Sequence, residues 1–106
     1  MTDRDDQIKA LANTTRLEIL RVLVEPQQQF GHQWSADAKE TGVCVQLLAE
    51  HFDVSQPTMS RHIELLKRAG FIRTQKQQKW TYCSRNESAL AEYARWLSES
   101  LSIDGD

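Results

Sequence analysis

Apolar residues recur at helical spacing along most of the chain, interrupted by short polar and turn-forming runs. Such periodicity is typical of amphipathic helices that bury one face. It predicts five helices, at about 4–12, 15–25, two within 45–69, and 87–101. The apolar stripes are Ile8 and Leu11; Leu17, Leu20, Leu23 and Val24; Val45, Leu48, Ala49 and Phe52; Met59, Ile63 and Leu66; and Leu90, Tyr93, Ala94, Leu97 and Leu101.

The third and fourth helices are separated by a run typical of a tight turn. Asp53 stands where a left-handed residue is needed, and Val54 can plug the space between the helices. Ser55 can cap the fourth helix, Pro57 fits its first turn, and Gly70 is a natural C-terminal stop. We therefore predict a helix-turn-helix over about 45–69.

Two strand-like runs follow the motif, at 71–75 and 79–84, and the polar tip Lys76-Gln77-Gln78 joins them. This pattern predicts a two-stranded β-hairpin, or wing, over about 71–84. The expected fold is mainly α (α+β): a single winged helix-turn-helix domain over 1–106, with about five helices.

Residues 26–44 are harder to interpret. Pro26 should end the second helix, and the polar segment after it contains two lone aromatic residues, Phe30 and Trp34. A loop with a turn of helix from Ser35 is the simplest prediction, with one or two aromatic side chains in the core. Loops of this length often have a function, so an organic or protein ligand bound near Trp34 is the alternative.

Charge is distributed unevenly along the 106 residues. The formal net charge is −2, but residues 55–85 carry +6 and the remainder −8. Screening hides charges beyond about 8 Å at cellular salt, so the basic stretch can still attract phosphates. The chain has no long apolar run and only two cysteines, and it begins with an acidic, polar segment. These features predict a cytoplasmic protein without a membrane span that binds double-stranded DNA.

The polar face of the fourth helix should read DNA. Amide, guanidinium and hydroxyl groups near the start of such a helix can hydrogen-bond to base edges in the major groove. More distant basic side chains are better placed for phosphates, and those of the wing for the backbone or minor groove. The predicted DNA contacts are Ser55, Gln56, Pro57, Thr58, Ser60, Arg61, Lys67, Arg68, Arg73, Lys76 and Lys79.

Three segments make the chain resemble the ArsR/SmtB family of winged-helix repressors: ANTTRLEIL at 12–20, SQPTMSRHIELLKRAGFI at 55–72 and KWTY at 79–82. The resemblance spans roughly residues 8–97. It implies a homodimer paired through its first and last helices, which represses transcription from a palindromic operator until an inducer lowers its affinity for DNA. Ile8, Leu11, Leu90, Leu97 and Leu101 would then form the dimer interface, although a role in the core of one subunit stays open.

The metal sites of that family do not match this chain. A family site with two cysteines at the start of the third helix would use positions held here by Val43 and Val45, with Cys44 between them. The last helix contains neither histidine nor cysteine. We expect no metal and no other cofactor, and His62 should serve packing and hydrogen bonding. A site built from His32, Cys44 and His51 is the remaining geometric option.

Two further signals stay open. Cys44 at a helix start could be a thiol sensor, or a small buried apolar residue, and we expect Cys83 to lie well apart from it. The inducer is unknown, and regulation by protein level alone needs none. No enzyme motif is present, so the rival class is a winged helix that binds proteins rather than DNA.

Overall fold

The computed structural model describes residues 3–103, which form six helices and a three-stranded sheet. The winged helix-turn-helix fold is confirmed, but the predicted five helices and two strands were each one too few. The elements are α1 (Arg4–Leu11), α2 (Thr14–Val22), α3 (Pro26–Phe30), β1 (Val43–Cys44), α4 (Val45–His51), α5 (Gln56–Arg68), β2 (Ile72–Gln77), β3 (Trp80–Arg85) and α6 (Glu87–Ser100).

Side-chain caps set the beginnings of four helices. Asp3, Asn13, Ser55 and Asn86 each accept a hydrogen bond from a backbone N–H in the first turn of α1, α2, α5 and α6, respectively. These bonds satisfy amides that the helix itself leaves without partners.

The second predicted helix is shorter than its apolar pattern suggests. It ends at Val22, and Pro26 begins α3 instead of ending α2, because a proline fits the first turn of a helix. Leu20 and Leu23 are buried, but Leu17 and Val24 are exposed. Periodicity alone did not separate the buried positions from their neighbours.

The third strand of the sheet arises from the segment that we expected to be a loop. Strand β1 pairs antiparallel with β3, which also pairs with β2, so that Val43 lies opposite Cys83 and Cys44 opposite Tyr82. Gly42 precedes β1 with a φ of 110°, and a Cβ there would lie 2.5 Å from the carbonyl oxygen of Cys83. A glycine is therefore required where the chain enters the sheet.

One core joins the helices to the sheet. The fully buried side chains come from α2, α4, α5, β1 and β3, together with Phe30 of α3 and Phe71 just before β2. Trp34, the other aromatic residue of that segment, is 85% exposed. Within residues 3–103, no helix has the length and apolar character needed to cross a membrane.

Candidate nucleic-acid interface

The helix-turn-helix consists of α4 and α5, and its turn has the backbone that the sequence predicts. Asp53 adopts a φ of 54°, and the Ser55 hydroxyl accepts a hydrogen bond from the amide of Thr58 at 3.2 Å. Met59, Ile63 and Leu66 bury one side of α5 almost completely. The opposite side of α5 therefore remains open to solvent.

The side chains predicted to contact DNA all lie on the surface. Each of the eleven is exposed, on α5 or on the hairpin that follows it. The set is Ser55, Gln56, Pro57, Thr58, Ser60, Arg61, Lys67, Arg68, Arg73, Lys76 and Lys79. Exposure permits contact with DNA without demonstrating it, so these assignments stay predictions.

Four of these residues meet in a concave surface between α5 and the hairpin, which we name the recognition cleft. Gln56, Ser60, Lys67 and Lys79 line this cleft of about 440 Å³. The hairpin turns at Gln78-Lys79, so Lys79 lies at the tip and Lys76 within β2. The predicted tip, Lys76-Gln77-Gln78, was therefore placed too early in the chain.

A side chain of α2 fixes the middle of α5. Arg16 donates to the carbonyl oxygens of Ala10 at 2.6 Å and Lys9 at 3.1 Å, and its Nη1 lies 3.1 Å from His62 Nδ1. A guanidinium can only donate, so Nδ1 must accept and the imidazole must be neutral. Burial, and then the positive charge of Arg16, lower the pKa of His62. The predicted hydrogen-bonding role of His62 fits this geometry.

A buried amide fixes the C-terminal end of α5. Gln7 is 4% exposed, and its Nε2 donates to the carbonyl oxygen of Ala69 at 3.2 Å. Arg4 donates to the Gln7 amide oxygen and to Glu92 of α6, each at 2.8 Å. This network joins α1, α5 and α6. Sequence reasoning missed it because a polar side chain such as that of Gln7 adds nothing to the apolar periodicity that indicates burial.

Two basic groups of the predicted interface share one carboxylate. Glu64 lies 3.6 Å from Arg61 and 3.5 Å from Arg68, and all three side chains are more than half exposed. Exposed ion pairs of this kind contribute roughly 0–1 kcal/mol, so either arginine can leave for a phosphate or a base at little cost.

Arg85 has a different role from the other cations of the basic stretch. It donates to the carbonyl oxygen of Leu20 at 2.9 Å and pairs with Glu87. This side chain ties the end of β3 to α2. Arg85 therefore belongs to the scaffold, and the basic surface depends on the remaining six cations of that stretch.

The cysteines are closer together than expected. Cys44 lies in β1 and Cys83 in β3, and these two strands pair. Cys44 lies opposite Tyr82, the residue just before Cys83. Their side chains project towards opposite faces of the sheet, since neighbouring positions of a strand alternate. Both thiols are buried, and burial raises the pKa of Cys83 to about 12. Neither thiol has the access typical of a reactive sensor.

Within residues 3–103, no three histidine, cysteine, aspartate or glutamate side chains converge in an arrangement that could hold a metal ion. His51 packs against the rings of Phe30 and Phe52. This contact gives that histidine a packing role.

The predicted dimer residues lie on the outer surfaces of α1 and α6. Ile8 is 45% exposed, Leu97 36% and Leu101 62%, while Leu11 and Leu90 pack partly against the core. The apolar face thus continues from the core onto the surface. Contiguous exposed apolar surface is a mark of interaction sites.

A polar, basic helix face supported from behind and followed by a hairpin defines a winged helix-turn-helix DNA-binding protein. The helix-turn-helix domain family matches residues 11–75, which is more than half of the chain.

Two curated relatives match most of the chain. An uncharacterized HTH-type transcriptional regulator, YbzH of Bacillus subtilis, is 36% identical over 93 residues, covering 88% of this chain and 93% of the relative. The arsenical resistance operon repressor of Escherichia coli K12 is 35% identical over 92 residues, covering 87% and 67%. Both relatives share the motif and the hairpin region with this chain.

Solved structures share the fold. The crystal structure of the ArsR family transcriptional regulator RHA00566 has a TM-score of 0.68 and 26% identity, covering 93% of this chain and 92% of that one. A homodimeric winged helix-turn-helix DNA-binding domain from Mycobacterium bovis has a TM-score of 0.62 and 22% identity, covering 91% and 76%. The second similarity concerns the fold alone. The domain match, the two curated relatives and the similarity to RHA00566 show that the chain belongs to the ArsR/SmtB family of helix-turn-helix transcriptional regulators.

Proposed function

We propose that the protein is a homodimeric repressor that binds a palindromic operator through α5 and the hairpin, has no enzymatic activity and acts in the cytoplasm, where its DNA lies. The observation that carries this proposal is the exposed face of α5, which presents Gln56, Ser60 and Arg61 beside the basic hairpin. Repression is the printed role of the arsenical resistance relative.

The apolar faces of α1 and α6 support the dimer. Their exposed residues Ile8, Leu97 and Leu101 would be covered by the same faces of a second copy. A two-fold arrangement also suits the size of the domain, because one half-site rarely supplies enough specific affinity. The homodimer from Mycobacterium bovis is a precedent for the fold.

Selection of bound sequences from random duplexes tests the proposal. We expect a palindrome whose half-sites are about one helical turn apart, and sedimentation of the free chain should give the mass of a dimer. Binding should weaken steeply with salt, since Lys67, Lys76 and other cations displace counterions. A flat salt dependence with no enriched sequence would favour a protein-interaction module instead.

Replacing Arg61 with Ala should then weaken binding to the selected operator by about 1–3 kcal/mol more than binding to random DNA. The reason is the loss of a side chain able to contact guanine in the major groove. Arg21→Ala is the matched control, because Arg21 is also exposed and paired with a glutamate three residues away, but on α2. Equal effects of the two substitutions on operator discrimination would contradict the role of Arg61.

A further inference from the structure

Segment 31–42 holds Trp34 in solvent by a fixed set of contacts. Gln33 Nε2 donates to the carbonyl oxygens of Ala36 at 2.8 Å and Gly42 at 3.0 Å, and its Oε1 accepts from the amide of Cys44 at 2.9 Å. On the other side, the Tyr82 hydroxyl donates to the Ser35 hydroxyl at 2.7 Å. Both neighbours of Trp34 are therefore anchored while its indole remains 85% exposed.

The indole of Trp34 forms one wall of a second concave surface, which we name the tryptophan cleft. The Trp80 indole forms the adjacent wall, with ring centroids 6.1 Å apart and planes at 87°. The exposed side of α4 supplies Gln46, Leu47 and Glu50, and the volume is about 320 Å³. This volume is at the lower end of the range of small-molecule sites, which span roughly 300–1,000 Å³.

The chemistry of the walls favours a cation with an apolar body. Indole faces attract cations within about 6 Å of the ring centroid, and Trp is the strongest of the aromatic side chains in this respect. Among the described side chains lining the cleft, Glu50 supplies the carboxyl group and His32 an imidazole. Trp80 already has the ammonium group of Lys79 5.2 Å from its ring centroid.

We infer that the tryptophan cleft binds a small organic cation that carries an aromatic or similarly compact apolar group. The ligand would lie against the Trp34 and Trp80 indoles, with Glu50 balancing its charge. In its regulatory role this inference rests on the proposed function, because the signal would act on DNA binding.

The two clefts share a wall through which such a ligand can act. Cys44, Gln46 and Trp80 line both the tryptophan cleft and the recognition cleft. A cation bound against Trp80 repels the ammonium group of Lys79 that stacks on the same ring. Lys79 is a predicted DNA contact at the hairpin tip, so occupation of the tryptophan cleft weakens binding to DNA.

Calorimetry on the full chain without DNA tests the ligand site. The probes are benzyltrimethylammonium, neutral N,N-dimethylbenzamide and anionic benzoate, at constant ionic strength. We expect saturable binding of the cation, at least about tenfold tighter than that of either other probe. Equal binding of the three probes, or absence of binding, would overturn the inference whatever the protein does with DNA.

Three variants assign the contacts. Trp34→Ala should weaken binding of the cation at least about tenfold and Glu50→Gln roughly threefold or more, while Trp34→Phe should retain most of it. Glu40→Gln is the charge-matched control, since Glu40 is exposed in the same segment but does not line the cleft. Undiminished binding by Trp34→Ala would exclude this site.

The same variants separate the ligand site from two other uses of Trp34. If Trp34→Ala weakens operator binding without any ligand, Trp34 is a DNA contact; if it changes the sedimented mass, Trp34 belongs to an interface between copies. Either result overturns the inference.

The regulatory role requires that the cation weakens operator binding by the natural chain and not by Trp34→Ala. An operator affinity that does not change when the cation is added would refute that role without contradicting the proposed recognition of DNA.

Discussion

Helix α5 and segment 31–42 are supported in a similar way but expose different kinds of side chain. In both regions a glutamine amide bonds to backbone groups. Gln7 of α1 bonds to the end of α5, and Gln33 bonds within its own segment. The open face of helix α5 presents polar and charged groups, whereas the segment adds one large exposed indole, Trp34, to its exposed polar side chains. Anchored backbone with an exposed, chemically distinct side chain is an arrangement that suits recognition, because little ordering remains to be done on binding.

The two regions differ in the interactions that hold their backbone in shape. Helix α5 has its own backbone hydrogen bonds and three buried apolar side chains, so its two tethers orient a helix that already exists. Segment 31–42 has no helix or strand. A few backbone turn hydrogen bonds and the side-chain bonds of Gln33 and Ser35 hold its form. The loss of one glutamine should therefore have different consequences in the two places.

The largest effect is expected for Gln33→Leu. The substitution removes three hydrogen bonds and leaves the buried amide of Cys44 and the buried carbonyl of Gly42 without that partner. We expect a loss of about 1–3 kcal/mol in the free energy of unfolding, measured with denaturant. Discrimination between operator and random DNA should change little, because α5 keeps both tethers.

Gln29→Leu is the matched control for that substitution. Gln29 is exposed on α3, a few residues earlier in the chain, and the change should alter stability by no more than about 0.5 kcal/mol. If Gln33→Leu were equally harmless, the segment would be held by something other than the Gln33 amide.

A smaller loss of stability is expected for Gln7→Leu, with a larger consequence for DNA. The part-buried bond from Arg4 to Gln7 Oε1 disappears together with the buried bond to the Ala69 carbonyl. We expect the free energy of unfolding to fall by about 1 kcal/mol, mainly through the loss of the Ala69 bond. The bond joins α1 to the end of α5, so its loss frees the orientation of the recognition helix. We expect weaker operator binding at unchanged dimer mass, measured by titration and sedimentation. Unaltered operator affinity would show that Gln7 only contributes to stability.

The contrast also explains what could be predicted from the sequence. Helix α5 and its turn follow local rules: a capping serine, a proline in the first turn, a left-handed aspartate and a 3–4 residue stripe, all found as expected. Segment 26–44 depends on partners far away in sequence, such as Tyr82 and Cys83. Its short strand has only two residues, so no alternating pattern could develop.

The same limit applies to the site. The exposed basic and polar residues of α5 could be proposed from composition and helical spacing, but the tethers behind them could not. Arg16 lies at the start of a helix that the sequence predicts, yet its bond to His62 joins positions 46 residues apart. The adjacency of Cys44 and Cys83 was likewise mispredicted, because it arises from strand pairing and not from either local sequence.

The smallest effect is expected at the Arg16–His62 tether, as a dependence of stability on pH. Burial and the charge of Arg16 lower the pKa of His62 in the folded protein below the value of about 6.5 usual for unfolded chains. The stability linked to neutral His62 is therefore complete above about pH 6.5, and it is lost as the pH falls through the lowered folded pKa. We expect the melting temperature to fall on acidification from pH 8 to pH 5.

His62→Gln isolates this contribution, because glutamine can accept from Arg16 but does not titrate. The other histidines and the carboxylates are common to both proteins, so the difference between the two pH curves reports His62 alone. Between pH 8 and pH 5 the natural chain should lose more stability than His62→Gln, because only the natural chain carries a His62 whose pKa is lowered by folding. Parallel curves would mean that the imidazole keeps its ordinary proton affinity in the fold. Protonation of His62 would then not weaken the support that the contact with Arg16 gives to α5.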